Sequence, residues 1–216
     1  MLYIKYVKIL GASEEVDDKM IGESITNYLL PEVDYKDAVC LDLGANIGAF
    51  TQLALDSGAS KVVAVECDLR NFEKLQSAYS NDDYVDLVYA AVSGLPDKTL
   101  KIFKATSQNA HCGTSIMNKI KFNEYDEVEN IHLKKLLKKY QPDIIKMDIE
   151  SAEYTLMDTL IDYHPKYLFI ELHAGKHRAE MNASLERLQA IYPHSKVEPL
   201  IIFTDNLIAY DCFFKK

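Results

Sequence analysis

The sequence is short of the features that mark most specialised classes. No apolar run approaches the ~18 residues that a membrane span requires. The four cysteines, Cys40, Cys67, Cys112 and Cys212, are scattered without a C-x-x-C pair, so the spacing of a structural zinc site is missing and no disulfide framework is indicated. Reduced thiols and a cytoplasmic setting are the expectation. Positive charge is in deficit, with 24 Lys and Arg against 33 Asp and Glu and a formal net charge of -9. A protein that grips phosphate backbones needs the opposite balance. Lys5 and Lys8 break up the apolar residues of MLYIKYVKILGAS, so a short edge strand is expected there and not a signal peptide. The G-x-G-x-x-G fingerprint of dinucleotide sites is also missing.

What is present is an ordinary globular composition, 48% hydrophobic and 26% charged over 216 residues. One domain is expected over residues 1–216, with residues 1–36 as an N-terminal extension and helix and residues 37–216 as the core. The chain is organised around VCLDLGANIG, residues 39–48. An apolar strand stops at Gly44, a short turn follows, and AFTQLALDSG reads as a helix closed by Gly58. Strand, glycine turn and helix form the start of a nucleotide-cradling βαβ unit. The spacing is D-x-G-x-x-x-G. Asn46 stands where a dinucleotide site keeps a glycine for the pyrophosphate, and the carboxylate of Asp42 is expected to face the same mouth. A phosphate-free, cationic nucleoside suits both residues, and S-adenosylmethionine is such a ligand.

Along the chain, residues 20–30 put Ile21, Ile25 and Leu29 at helical spacing ahead of Pro31. Residues 39–43 and 61–66 read as strands buried on both faces, and residues 49–58 and 71–80 as the helices after them. Glu66 follows Asp42 near the ~20-residue offset at which an acid meets a ribose hydroxyl. Further strands are expected at 86–92, 99–105, 143–148 and 166–172, and helices at 128–140, 149–162 and 179–192. Residues 196–203 and 207–214 flank TDN as a hairpin. Lys134, Lys135, Lys138 and Lys139 oppose an apolar stripe and read as a solvated helix face, because no aromatics are interleaved. Residues 106–123 lack periodicity and read as a lid over the reacting centre, with His111 as its acid–base group.

Alternating strands and helices ending in a hairpin give an open α/β sheet, mostly parallel, with a C-terminal antiparallel hairpin. Ligands of such sheets bind beyond the carboxyl ends of the strands. Asp42 with the glycine turn, Glu66, Asp148, Glu171 and His173 all fall on that edge.

With those residues assembled, the chain resembles the FkbM family of S-adenosylmethionine-dependent methyltransferases. The matching stretches are LDLGANIGAFT, VVAVECDLRNFEKL, AAVS, CGTSI, IIKMDIESAEY and YLFIELH, in the family's order from about residue 21 to the C-terminus. The first is shared by many methyltransferases, whereas IIKMDIESAE with the later IELH is far more specific. Ser151 departs from the family's usual glycine, which bears on the acceptor pocket. The resemblance implies a Rossmann-like, seven-stranded class I methyltransferase sheet with helices on both faces. It implies that Asp42, Gly44, Ala45, Asn46 and Gly48 surround the methionine moiety and that Glu66 holds the ribose, with Cys67 beside it. Residues 90–93, with Ala91, would border the adenine, and Asp148 would lie near the sulfonium.

Family members typically methylate hydroxyl oxygens of small molecules or sugars, releasing S-adenosylhomocysteine, and a small-molecule or carbohydrate acceptor is the expectation here. Such an in-line displacement needs a positioned acceptor and a nearby base. His173 suits the base by its intrinsic pKa, with Glu171, Glu150 and Asp148 as rivals. No resident metal is assigned, although Asp148, Glu171 and His173 are also donors for a hard divalent cation. Two alternatives stay open: a nucleic-acid methyltransferase on the same fold, and a non-catalytic S-adenosylmethionine-binding module. The acidic balance and the missing N-P-P-Y-like and Pro-Cys motifs weigh against nucleic acid.

Overall fold

The computed structural model describes residues 22, 26–103, 125–150, 152–173, 178–204 and 207–216. The lid expected at 106–123, with His111, lies outside them, as do Ser151 and the edge strand expected near the N-terminus.

Strand β1 (Val39–Leu43) leads through the glycine turn into helix α1 (Ala49–Asp56), then β2 (Lys61–Glu66), α2 (Leu69–Tyr79) and β3 (Val85–Tyr89). Three short strands follow, β4 (Ala91–Ser93), β5 (Thr99–Phe103) and β6 (Tyr125–His132), and then α3 (Leu133–Tyr140) and β7 (Ile144–Met147). A 3₁₀ turn (Glu153–Thr155), α4 (Met157–Tyr163), β8 (Tyr167–His173), α5 (Arg178–Ile191), β9 (His194–Thr204) and β10 (Leu207–Lys215) complete the order. The main sheet has seven strands in the order β3-β2-β1-β7-β8-β10-β9. β1 pairs in parallel with both β2 and β7, while β10 runs antiparallel to β8 and to β9. This is the expected open α/β sheet with a terminal hairpin.

Alternation along the central strands sends side chains into two cores. Leu41, Leu43, Val63, Val65, Ile145 and Met147 pack on one face with Leu136 of α3, Leu160 of α4 and Leu188 of α5. Cys40, Val62, Ala64 and Ile144 pack on the other with Phe50 and Leu53 of α1 and Leu75 of α2. Full burial of a leucine such as Leu41 contributes about 1.5–3 kcal/mol, so the two cores hold the central strands and the loops at their carboxyl ends in place. Gly22 and residues 26–28 are helical, within the helix expected at 20–30. Tyr28 there sets its ring edge-on to Phe50 and Phe169, at centroid distances of 5.3 and 5.2 Å.

Three expectations need correction. Residues 86–92 are not one strand: after β3 the chain leaves the main sheet at Ala90, whose N–H donates to the Glu66 carbonyl at 3.1 Å, and β4 joins a second sheet. That sheet, in the order β4-β6-β5, also takes the strand expected at 99–105. The helix expected at 128–140 begins only at Leu133, because residues 125–132 form β6. Its inward positions are Val128 and Asn130, and a buried asparagine hides the alternation. Asn130 accepts from Ser93 at 3.0 Å and donates to the carbonyls of Leu95 and Asp97 at 3.1 and 2.8 Å, which ties the second sheet to the turn after β4. Nor is the segment at 149–162 one helix. Glu150 takes a left-handed φ of 54°, a tight turn follows β7, and the α-helix starts at Met157.

Candidate active site

The sheet order reverses between β1 and β7, and open α/β sheets bind their ligands in a crevice beyond the carboxyl ends of the strands at such a point. Gly44 stands at this point with φ 74°, and a Cβ at this position would lie 1.8 Å from the Asp148 carbonyl oxygen. Only glycine allows the loops after β1 and β7 to approach so closely. The Asp148 N–H donates to the Leu43 carbonyl at 3.1 Å and fixes the contact. Gly48 opens α1 with φ 94°, and a Cβ there would crowd Leu75 and Tyr79 of α2 at 2.8 Å.

Asp42 does not face the mouth as its position in the motif suggests. Its carboxylate is fully buried beneath the loop, where Thr51 donates to it at 2.8 Å and the Lys146 ammonium lies 3.4 Å away. Burial raises the Asp42 pKa, against the pull of Lys146 and Thr51. Lys146, on β7, also donates to the Gly44 carbonyl at 2.6 Å. Burial works against its charge, but Asp42, Asp148 and Glu66 outweigh it and raise the pKa, so the lysine stays an ammonium. Selection against a diphosphate therefore falls to other residues, because Asp42 is already paired.

Glu66 ends β2 and is buried. It accepts from the backbone N–H of Asn46 at 2.7 Å, Cys67 at 2.9 Å and Asp68 at 2.7 Å, so one carboxylate joins the two loops. Asn46 holds φ 53° to present its N–H. Burial pushes the Glu66 pKa up to about 7 although these donors favour the anion. Asp68, not Glu66, caps α2, accepting from the Arg70 N–H at 3.0 Å. Ala45 and Ala91 are buried, and Cys67 is partly exposed beside Glu66.

Four acids gather around His173 at the end of β8. Nδ1 lies 3.0 Å from Glu153, which is fully buried, and Nε2 lies 3.3 Å from both Glu150 and Glu171. Asp148 offers a ligand atom in the same cluster. Tyr154 donates to the His173 carbonyl at 2.9 Å and fixes its backbone. Burial opposes the imidazole charge, but Glu153, Glu171 and Glu150 together hold its pKa well above the usual value. These carboxylates favour the protonated imidazole over the free base. Glu171 is pushed up to about 7 by burial and by Asp148, against the pull of His173.

The comparisons with known proteins agree with this geometry. The methyltransferase FkbM domain matches residues 42–192. The chain belongs to the FkbM methyltransferase family. S-adenosylmethionine is the methyl donor of this FkbM methyltransferase. Among solved structures, the precorrin-6y C5,15-methyltransferase from Geobacter metallireducens GS-15 is 12% identical with a TM-score of 0.52, over 94% of this chain and 93% of that one. The TYW2 protein of M. jannaschii in complex with AdoMet is 12% identical with a TM-score of 0.51, over 95% and 78%. At such identities these two show the fold alone. No curated protein matches the chain.

The residues of the FkbM protein fit the donor. Glycine at 44 lets the loops after β1 and β7 meet and glycine at 48 lets α1 start against α2, and a carboxylate already accepting three N–H groups retains a lone pair for a ribose hydroxyl. Lys146 is committed to Asp42 and Gly44 and is not offered to a phosphate. Sequence reasoning passed over three residues here. Lys146 was signalled by its place inside the apolar run IIKM, since a buried charge needs a partner. Glu153 had no local signal. Tyr28 comes from the N-terminal segment, and burial with the nearby Asp148, Asp211, Glu171 and Asp42 raises its pKa and keeps it a phenol.

Proposed function

We propose that this FkbM methyltransferase methylates a hydroxyl oxygen of a small molecule or sugar. The observation that carries the reading is the cluster of Asp148, Glu150, Glu171 and His173, which borders the crevice at Gly44. Bound S-adenosylmethionine supplies an electrophilic methyl group. Gly44, Ala45, Asn46 and Gly48 form the loop that receives its amino-acid end, Asp42 braces that loop from beneath through Lys146, Glu66 with Cys67 receives the ribose, and Ala91 lines the adenine side. A hydroxyl is a weak nucleophile until its proton leaves. Glu171 is the acceptor of that proton, because burial and Asp148 raise its pKa to about 7 while its side chain keeps some exposure. His173, pinned by Glu153, donates and orients instead of accepting, which reverses the roles that their intrinsic pKa values suggest. The acidic wall disfavours a polyanionic acceptor, so a nucleic-acid substrate is the weaker reading.

A screen with methyl-labelled donor against hydroxyl compounds, sugars, amines and RNA tests the proposal. Label is expected in an ether of a hydroxyl compound. Glu171→Gln should lower that rate about 10²–10⁴-fold with little change in donor affinity. Transfer confined to RNA or to amines, or full activity in Glu171→Gln, would contradict it.

A further inference from the structure

We propose that Asp148, Glu150 and His173 form a binding site for one divalent cation, Mn²⁺ or Mg²⁺, at the acceptor end of the crevice. One ligand atom from each lies within 4.8 Å of the others. Two ligands of one ion can be no farther apart than twice the metal–ligand distance, about 4.2 Å for the ~2.1 Å bonds of Mg²⁺ and slightly more for Mn²⁺, so a few tenths of an ångström of side-chain adjustment would bring all three donors onto one ion. The donors are therefore already gathered on the scale of one ion. Two carboxylates and one imidazole, with no thiolate, suit a hard cation that keeps water ligands.

The surroundings of His173 give an independent argument. Its Nδ1 faces Glu153, a carboxylate with no exposure to solvent, at 3.0 Å. That contact fixes the ring so that Nε2 points at Glu150, 3.3 Å away. A carboxylate behind one imidazole nitrogen, orienting the other toward a ligand cluster, is the outer-shell arrangement of metal-bound histidines. Tyr154 holds the His173 backbone at 2.9 Å and adds to this rigidity. Charge points the same way. Asp148, Glu150, Glu153 and Glu171 surround a single imidazole, and a dication offsets the excess negative charge in this largely enclosed place. The cation's role rests on the reading of this edge as a hydroxyl methylation site: on binding it would take the place of the proton on His173 Nε2, it would acidify the acceptor hydroxyl, and Glu171, outside the ligand set, would take the hydroxyl proton.

The test titrates Mn²⁺ into metal-free, full-length protein and follows free Mn²⁺ by electron paramagnetic resonance. Saturable binding is expected, weakened at least about ten-fold in Glu150→Gln and in His173→Gln. Glu153→Gln should weaken it too, as a positioning residue. S-adenosylhomocysteine affinity, measured on the same samples, should be unchanged in Glu150→Gln, which shows that the variant is folded. In the wild-type protein, Mn²⁺ should broaden the imidazole resonances of His173 before those of the other histidines, which requires no variant. Non-saturable binding, equal Mn²⁺ affinity in the variants, or earliest broadening elsewhere would overturn the cation site. S-adenosylhomocysteine binding would survive that result, whereas its absence would strike at the methyltransferase reading itself.

Discussion

Lys146 and Glu66 are buried ionisable groups that tie down the loop after β1. Lys146 reaches both Asp42 and the Gly44 carbonyl. Lys146→Met should cost about 3–5 kcal/mol, because it leaves the Asp42 carboxylate buried without its cation. Adding Asp42→Asn should recover much of that loss in urea unfolding, and strictly additive losses would refute the pairing. Glu66 makes a pH-dependent contribution. Its folded-state pKa is about 7 against an ordinary 4.5. Between those values the folded protein holds the proton that the unfolded chain has released, so stability falls as pH rises from about 4.5 to 7. Glu66→Gln should remove up to ~3 kcal/mol of that slope, read by unfolding at pH 5 and pH 7.5. An unchanged slope would contradict the assignment. The motif around Asp42 and the acid at Glu66 were legible because strand, turn and offset are local patterns. The Lys146–Asp42 and Glu153–His173 pairs were not, since contacts between separate strands and loops leave no periodic trace.

At the scale of elements, β1, β2, β7 and β8 were legible because continuous apolar runs bounded by turns are strong signals. The second sheet was not. β4 is only Ala91–Ser93, and β6 buries Asn130 where an apolar residue would have shown the alternation. Asn130 accepts one hydrogen bond and donates two there. Asn130→Ala should cost about 2–3 kcal/mol, since it strands the Leu95 and Asp97 carbonyls and the Ser93 hydroxyl. Hydrogen exchange should quicken in β4 and β5 while β1 stays protected. Equal exchange in the variant and the parent would show that the asparagine is not the tie. Likewise, the turn at Glu150 was hidden inside an apparent i, i+4 stripe, because left-handed backbone at a non-glycine residue has no compositional sign.

For the whole molecule, the sheet order places the reversal between β1 and β7, and there one edge collects the glycine turn, Glu66 and the acids around His173. The carboxyl-edge constellation was legible once the strands were placed, because each ends in an acid. What was not legible is the protonation of that edge, which depends on burial and on Glu153. The net charge of -9 and the acidic wall are the features on which the proposed preference for a hydroxyl acceptor over a phosphate backbone rests. The central claim, a crevice built for S-adenosylmethionine and not for a dinucleotide, is tested most directly by calorimetric titration of the wild-type protein with S-adenosylhomocysteine and, separately, with NAD. Saturable heat is expected with S-adenosylhomocysteine and none with NAD. Saturation by NAD with no heat from S-adenosylhomocysteine would contradict it.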